Sequence, residues 1–272
     1  MSEFWKRTIF GAVFVFIVIA SIFVSEITAF IMLAFVLIKS SKEIVSLYPA
    51  KVEKALNPSV YSASMLLYLF FAAIALFDLP IRYLNASFFI FFVPLLMALF
   101  SKRNEYVDIL LTSWLSMIYI ALPCGLMLLF YNESIIGMEN GNWMLVFAFL
   151  LIWVNDIFAY LTGSAIGRHK LCERISPKKT IEGSVGGAVF TVLIAYLVNR
   201  FVIHFMSDLL ILGLALGVVV FGTFGDLCES MMKRRAGVKD SGSIIPGHGG
   251  MLDRFDATFL AMPFVFLYLI MI

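Results

Sequence analysis

The chain has 272 residues, of which 62% are hydrophobic and 14% are charged, and its mean hydropathy is +0.99. This composition excludes a soluble globular domain, which needs more charge to cover its surface, and indicates a polytopic membrane protein. The net charge of +2 excludes a nucleic-acid partner, and three widely spaced cysteines without a C-x-x-C pair exclude a disulfide framework or a zinc ribbon.

Apolar segments follow one another along almost the whole chain. A membrane-spanning helix needs about 20 apolar residues, within a range of about 17–25, and about nine segments reach or approach this length. They are 8–24, 27–40, 60–78, 83–100, 107–130, 142–162, 184–203, 208–225 and 256–272. The joints are short and no repeat is visible. We therefore predict one all-α integral membrane domain over 1–272, with anchoring spans in 1–100 and the functional loops in 101–272.

The positions of Lys and Arg predict the orientation of the chain in the membrane. Cytoplasmic loops carry an excess of these residues. With nine spans, a cytoplasmic N-terminus and an external C-terminus, all 20 Lys and Arg except Arg82 and Arg200 lie on the inner side. This topology places two polar loops, 163–183 and 226–256, in the cytoplasm. It predicts a multi-pass protein of the inner (cytoplasmic) membrane whose active site faces the cytoplasm.

The first polar loop follows a span that carries Asn155 and Asp156. A carboxylate at this depth normally faces a polar cavity or a partner, so Asp156 contacts either a ligand or another span. The loop then offers two hydroxyls and two ammonium groups that suit phosphate: Ser176, Lys178, Lys179 and Thr180. A basic cluster that only contacts lipid headgroups is the alternative. Three glycines allow close helix packing or approach of a ligand: Gly183, Gly186 and Gly187.

The second polar loop joins the ends of two consecutive spans. Asp226, Glu229 and Lys233 recur at i, i+3 and i+7, so they share one face of a helix. Asp253 and Asp256 share a face at the start of the last span. If they meet, these carboxylates form a candidate Mg²⁺ site, whereas an ordinary ion pair between Glu229 and Lys233 is the structural alternative.

The glycine-rich turn within this loop suits an anion. Glycines at positions 247, 249 and 250 can adopt positive φ angles, which let successive backbone N–H groups converge on phosphate. We expect His248, between two of these glycines, to contact phosphate rather than a metal. Phosphate-binding groups beside metal-binding carboxylates indicate chemistry on a phosphorylated substrate at a membrane surface.

The stretch 230–256 resembles the signature of the phosphatidate cytidylyltransferase family, also called CDP-diacylglycerol synthases. Its fixed positions are matched by Ser230, Lys233-Arg234, Lys239-Asp240, Gly242, Ile245-Pro246, His248-Gly249-Gly250, Asp253-Arg254 and Asp256. Asn155-Asp156 and the run 176–183 are also similar to this family, whereas Ser164 stands where a basic residue is expected. The resemblance covers residues 142–272, and the first half matches only as hydrophobic spans.

The resemblance implies transfer of a cytidylyl group from CTP to phosphatidic acid, giving CDP-diacylglycerol and pyrophosphate for phospholipid biosynthesis. It implies catalytic roles for Asp226, Lys233, Lys239, Asp253 and Asp256. It implies contacts with CTP or lipid phosphate for Asn155, Ser176, Lys178, Lys179, Thr180, Arg234, His248, Gly249 and Gly250. It implies Mg²⁺ ligation by Asp226, Asp253 and Asp256, with Glu229 and Asp240 as further candidates. A K⁺ ion near the Mg²⁺ and a homodimer follow from the resemblance alone.

Two alternative functions remain, one a related enzyme and the other a transporter. A related CTP-dependent membrane enzyme, either a CDP-archaeol synthase or a polyprenol kinase, has similar chemistry on another lipid. A transporter of anionic solutes instead predicts charges deep within several spans and broken helices in an inverted repeat. Apart from Asp156, charge in this chain concentrates at the cytoplasmic ends of the spans, so we favour the enzyme.

Overall fold

A computed structural model describes the backbone of residues 3–244 and 249–272. The described chain is helical apart from one β-hairpin, which confirms the prediction of an all-α polytopic membrane protein. Within these residues, seven helices are long and apolar enough to cross a membrane: Val52–Leu76, Ile81–Leu99, Tyr106–Tyr131, Gly141–Ile166, Ile181–Ile203, Asp208–Arg235 and Leu252–Met271. The total of nine spans stays a prediction, as does the orientation of the termini.

The chain divides into two compact units, formed by Met1–Leu145 with Arg235–Phe255 and by Val146–Arg234 with Asp256–Ile272. The first unit contains α1 (Glu3–Val24), α2 (Glu26–Ser46), α3 (Ala50–Leu76), α4 (Ser87–Ile90), α5 (Val93–Leu99), α6 (Tyr106–Ser116), α7 (Leu122–Leu128), α8 (Glu133–Ile136) and the start of α9 (Gly141–Ile166). A 3-10 helix precedes α4, a π turn joins α6 to α7, and a second 3-10 helix follows α7: Ile81–Ala86, Met117–Ala121 and Leu129–Tyr131.

The break between α1 and α2 lies at the polar joint that the sequence offers there. The Ser25 hydroxyl accepts a hydrogen bond from the Thr28 amide at 3.1 Å, and the Thr28 hydroxyl accepts one from the Ser25 amide at 3.0 Å. This reciprocal capping box satisfies amides that the first turn of α2 leaves without helical partners. It explains how the single residue Ser25 separates two long helices.

Hydroxyl groups inside the first unit fix α2 against its neighbours. Helix α3 packs against α2, α6 and α7. The buried hydroxyl of Ser116 in α6 lies 2.9 Å from the hydroxyls of both Ser41 in α2 and Ser64 in α3. Tyr68 in α3 also donates to the Phe30 carbonyl at 2.7 Å. Because buried hydroxyls need partners, these bonds define the orientation of α2 around Ser41.

The second unit contains the rest of α9, then β1 (Lys170–Cys172), β2 (Ser176–Thr180), α10 (Ile181–Val198), α11 (Asp208–Arg235) up to Arg234, and α12 (Leu252–Met271) from Asp256. A π turn, Asn199–Ile203, extends α10. The strands pair antiparallel, with Lys170 opposite Thr180 and Cys172 opposite Ser176. The sequence interpretation treated 163–183 as a loop, whereas the structure gives most of it regular structure.

Glycines bring the helices of the second unit into close contact. A Cβ atom added at Gly225 in α11 would clash with the backbone carbonyl of Asp256 in α12, and one added at Gly183 in α10 would lie 2.7 Å from the Ala159 carbonyl in α9. Such distances are too short for any side chain larger than hydrogen. Of the two roles considered for the glycines of α10, helix packing is therefore the one observed at Gly183.

Candidate functional site

Carboxylates from three helices lie close together in the second unit. Asp156 in α9, Asp226 in α11 and Asp256 in α12 are near enough for the charges of the first two to act on the third. Lys179 in β2 forms an ion pair with Asp226, and its charge also acts on Asp256. The structure thus assembles three of the predicted site residues together with Asp156, whose role the sequence left open.

Two carboxylates of this cluster accept hydrogen bonds from their own helices. Gly225 lets the backbones of α11 and α12 approach closely, which places Asp226 beside Asp256. One oxygen of Asp226 accepts a hydrogen bond from the Ser230 hydroxyl at 3.2 Å, one turn further along α11. One oxygen of Asp256 accepts from the Ala257 amide at 2.7 Å. Like charges held this close need a cation, and Lys179 supplies one.

The hairpin separates the two lysines that the sequence interpretation assigned to phosphate. Successive side chains of a strand point to opposite faces. Lys179 turns toward Asp226, whereas Lys178 is exposed. Thr180, which follows, is buried and caps α10, because its hydroxyl accepts from the Gly183 amide at 3.1 Å. Phosphate contacts by Lys178 and Thr180 stay predictions.

Glu182 lies in the run 176–183 that resembles the family, but the sequence interpretation gave it no role. Its carboxylate accepts hydrogen bonds from the Arg168 amide at 3.0 Å and the His169 amide at 3.2 Å, and it lies 2.6 Å from His169 Nδ1. These bonds tie the start of the hairpin to the first turn of α10, and so help to orient Lys179. An acidic residue two positions after a capping threonine was the available signal.

Two buried polar groups complete this part of the second unit. Glu229 is fully buried and pairs with Lys233 at 2.5 Å, which is the i,i+4 ion pair that the sequence allowed as an alternative to metal binding. Asn155 is 6% exposed, and its Oδ1 atom has no hydrogen-bond partner among the described residues. A buried amide oxygen of this kind is suited to a water or ligand donor.

The remaining predicted residues lie in several places. Arg234 is exposed at the end of α11 and donates to the Ile175 carbonyl in the hairpin turn at 3.2 Å. Ser176 begins β2 and is half-buried, whereas Lys239 and Asp240 are exposed in the first unit. Gly249 has a φ of 80°, the left-handed conformation expected for the turn. His248 lies outside the described residues.

Asp253 belongs to a hydrogen-bonded cluster in the first unit. Its Oδ2 atom accepts from the Ser241 amide and hydroxyl, each at 2.9 Å, and from the Gly250 amide at 2.7 Å. The Ser241 hydroxyl also lies 2.9 Å from a carboxylate oxygen of Glu43, 198 residues away in sequence. No local pattern distinguishes Glu43 from other charges at the end of a span, so the sequence interpretation missed it.

The donor set of the second unit fits Mg²⁺ bound together with a nucleotide. Within 3–244 and 249–272, no group of three or more His, Cys, Asp or Glu side chains is arranged to hold a metal ion by itself. Mg²⁺ at phosphate sites, however, is held by only one or two protein carboxylates, with phosphate and water oxygens completing its shell. Asp226 and Asp256 supply hard carboxylate oxygens of this kind on adjoining helices.

Comparison with known proteins gives consistent matches. The model of the cytidylyltransferase family matches residues 5–272. A phosphatidate cytidylyltransferase of Staphylococcus aureus (strain COL) is 42% identical over 146 residues, or 54% of this chain and 55% of the relative. One from Staphylococcus epidermidis is 45% identical over 132 residues, covering 48% and 51%. One from Staphylococcus saprophyticus is 42% identical over 148 residues, covering 54% and 55%. The matches span about half the length of these curated relatives.

Proposed function

Because the chain belongs to the cytidylyltransferase family, we propose that it transfers a cytidylyl group from CTP to phosphatidic acid, giving CDP-diacylglycerol and pyrophosphate. The relatives named phosphatidate cytidylyltransferase support this substrate pair. The observation that carries the proposal is the cluster of Lys179, Asp156, Asp226 and Asp256 in the second unit, because it combines carboxylates with a cation suited to phosphate.

The reaction needs charge neutralisation more than proton transfer. An oxygen of the lipid phosphate attacks the α-phosphorus of CTP, a new P–O bond forms, and the bond to pyrophosphate breaks. Both reactants are anions, so the protein must bring them together and offset the charge that builds up on the leaving group. Lys179 is placed to exchange its contact with Asp226 for a phosphate oxygen, and the unpartnered Asn155 amide oxygen can accept a hydrogen bond from a substrate hydroxyl or amine.

Mg²⁺ held by Asp226 and Asp256 would polarise the phosphate under attack and template the in-line geometry. The two carboxylates would hold the ion and Lys179 would balance the remaining negative charge, while Glu229 and Lys233 form an ion pair on the same helix as Asp226. Ligation by Asp253 and Asp240, K⁺ binding and a homodimer stay predictions from the resemblance.

The test of this proposal is pyrophosphate release by the purified full chain in detergent, with CTP, Mg²⁺ and phosphatidic acid each omitted in turn. We expect release only when all three are present, with one CDP-lipid formed for each pyrophosphate. Release with a polyprenol or an archaeal lipid, but not with phosphatidic acid, would contradict the proposed substrate. Nucleotide binding without turnover on any lipid would contradict enzymatic function.

The proposed reaction also requires the site to face the nucleotide pool of the cytoplasm. Ser243 is exposed in the second polar loop and Asn140 is exposed in a joint predicted to lie outside. In intact cells that express a variant without native cysteines, we expect Ser243→Cys to resist a membrane-impermeant thiol reagent and Asn140→Cys to react. Permeabilised cells should label at both positions. The reverse pattern in intact cells would invert the proposed topology in the cytoplasmic membrane.

A further inference from the structure

Glu43 is a buried acidic residue of α2 to which the proposed reaction gives no direct role. It is 8% exposed and lies near the C-terminal end of α2, in the first unit. Its carboxylate accepts hydrogen bonds from the Met251 amide at 2.9 Å and the Leu252 amide at 2.7 Å, and it lies 2.9 Å from the Ser241 hydroxyl. An ionised side chain is this deeply buried only when it is well compensated, so the contact calls for an explanation.

The backbone around Glu43 is shaped to admit its carboxylate. A Cβ atom added at Gly242 would lie 2.8 Å from Glu43 Oε1, and one added at Gly250 would lie still closer to Oε2. The amides of Met251 and Leu252 lie at the N-terminus of α12, where backbone N–H groups have no helical acceptor and the helix dipole favours a negative charge. Glu43 therefore fastens the start of α12 to α2.

Ser241 connects this anchor to Asp253. Its hydroxyl lies 2.9 Å from both Glu43 Oε2 and Asp253 Oδ2, and its amide donates to Asp253 at 2.9 Å. Gly250, packed against Glu43, donates its amide to the same Asp253 oxygen at 2.7 Å. Ser241 and Gly250, which both donate to that oxygen, thus also contact Glu43.

We infer that Glu43 is a positioning residue, which orients the Asp253 carboxylate by holding Ser241, Gly250 and the start of α12 in place. The inference rests on the proposed function and on the ligation of Mg²⁺ by Asp253 that the family resemblance implies, because the orientation of Asp253 affects the metal-dependent reaction only through that contact. Glutamine at position 43 keeps the size but replaces one accepting oxygen with an N–H₂ donor that faces other donors, so it breaks the anchor without leaving a cavity.

The direct test is hydrogen–deuterium exchange of the full chain in detergent, comparing wild type, Glu43→Gln and the matched control Glu26→Gln on the same helix. We expect the amides of Met251 and Leu252 to exchange about ten-fold faster or more in Glu43→Gln, because they lose a charged acceptor. Exchange in the control should equal that of wild type. Unchanged exchange in Glu43→Gln would overturn the anchoring role.

Kinetics separate positioning from general stability. We expect Glu43→Gln to raise the Mg²⁺ concentration needed for half-maximal activity while the KM for CTP stays within about two-fold, since a change of that size is under 0.5 kcal/mol of binding. A lower turnover with unchanged Mg²⁺ dependence would show a purely structural role and overturn the inference. If wild type forms no CDP-lipid, the proposed function fails, while the exchange result still decides the anchor.

A second variant keeps the test decisive if Glu43→Gln does not fold. Ser241→Ala removes the hydroxyl that joins Glu43 to Asp253 but leaves the bonds from Met251 and Leu252 to Glu43. We expect wild-type exchange at those two amides together with the raised Mg²⁺ requirement. A wild-type Mg²⁺ requirement in Ser241→Ala would overturn the link to Asp253.

Discussion

Replacing Asp256 by asparagine is expected to lower cytidylyl transfer by about 100-fold or more, without loss of the fold. The carboxylate lies near those of Asp226 and Asp156. Its removal therefore takes away a proposed ligand for Mg²⁺ and one of the negative charges of the site. Losses of about 10²–10³ are usual when one group that stabilises transition-state charge is removed. The measurement is the rate of CDP-diacylglycerol formation at saturating CTP, normalised to folded protein.

Stability should change in the opposite direction to activity. Three carboxylates held close together repel one another, so neutralising one of them relieves a cost that the folded protein otherwise bears. In Mg²⁺-free detergent we expect Asp256→Asn to have a Tm equal to or above that of wild type, whereas Mg²⁺ added together with CTP should raise the Tm of wild type but not that of Asp256→Asn. This pattern distinguishes a functional carboxylate from a structural one.

Asp208→Asn is the matched control for this experiment. Asp208 is exposed at the start of α11, at the opposite end of the helix that carries Asp226. It should keep wild-type turnover and the Mg²⁺-dependent rise in Tm. If Asp256→Asn also keeps near-wild-type turnover, Asp256 is not a metal ligand and the proposed site is wrong.

The helical architecture could be predicted from the sequence because the membrane imposes strong local rules. Apolar length marks a spanning helix, and the Ser25–Glu26 joint marked a true helix break. The hairpin at 170–180 could not be predicted in the same way, because its strands have three and five residues and depend on anchoring by Glu182. Short polar strands carry little periodicity, and packing against α10 decides their conformation.

Site residues could be predicted where the pattern that marks them lies nearby in sequence, and could not be predicted where their partners are distant. Asp226 and Asp256 stood out because charged residues at span ends share helix faces, and the structure places them together. Glu43 could not be found, because its partners lie about 200 residues away and contact it through backbone amides that carry no side-chain signature. Strand alternation decides which lysine faces the carboxylates. Because 163–183 was interpreted as a loop, the sequence could not predict that alternation.

Lys179→Ala is the second substitution expected to have a large effect, with a loss of about 100-fold in kcat/KM for CTP. The Lys179 ammonium pairs with Asp226, and its charge also acts on Asp256. It is therefore a cation in position to contact a phosphate bound at these carboxylates. Charge-assisted bonds to phosphate are about twice as strong as neutral ones, and their loss in a preorganised site costs about 10²–10³ in rate. Lys179→Arg should recover part of the activity, since it keeps the charge but changes the geometry.

The neighbouring lysines make this experiment specific. Lys178 is exposed one residue away on β2, and Lys170 is exposed on β1. We expect Lys170→Ala to match wild type and Lys178→Ala to lose less activity than Lys179→Ala, because strand alternation turns Lys178 away from Asp226. Excess CTP should partly restore the rate of Lys179→Ala if its phosphate contact forms on binding. Equal losses at positions 178 and 179 would instead show that both ammonium groups reach the substrate, and that pairing with Asp226 does not determine which lysine acts.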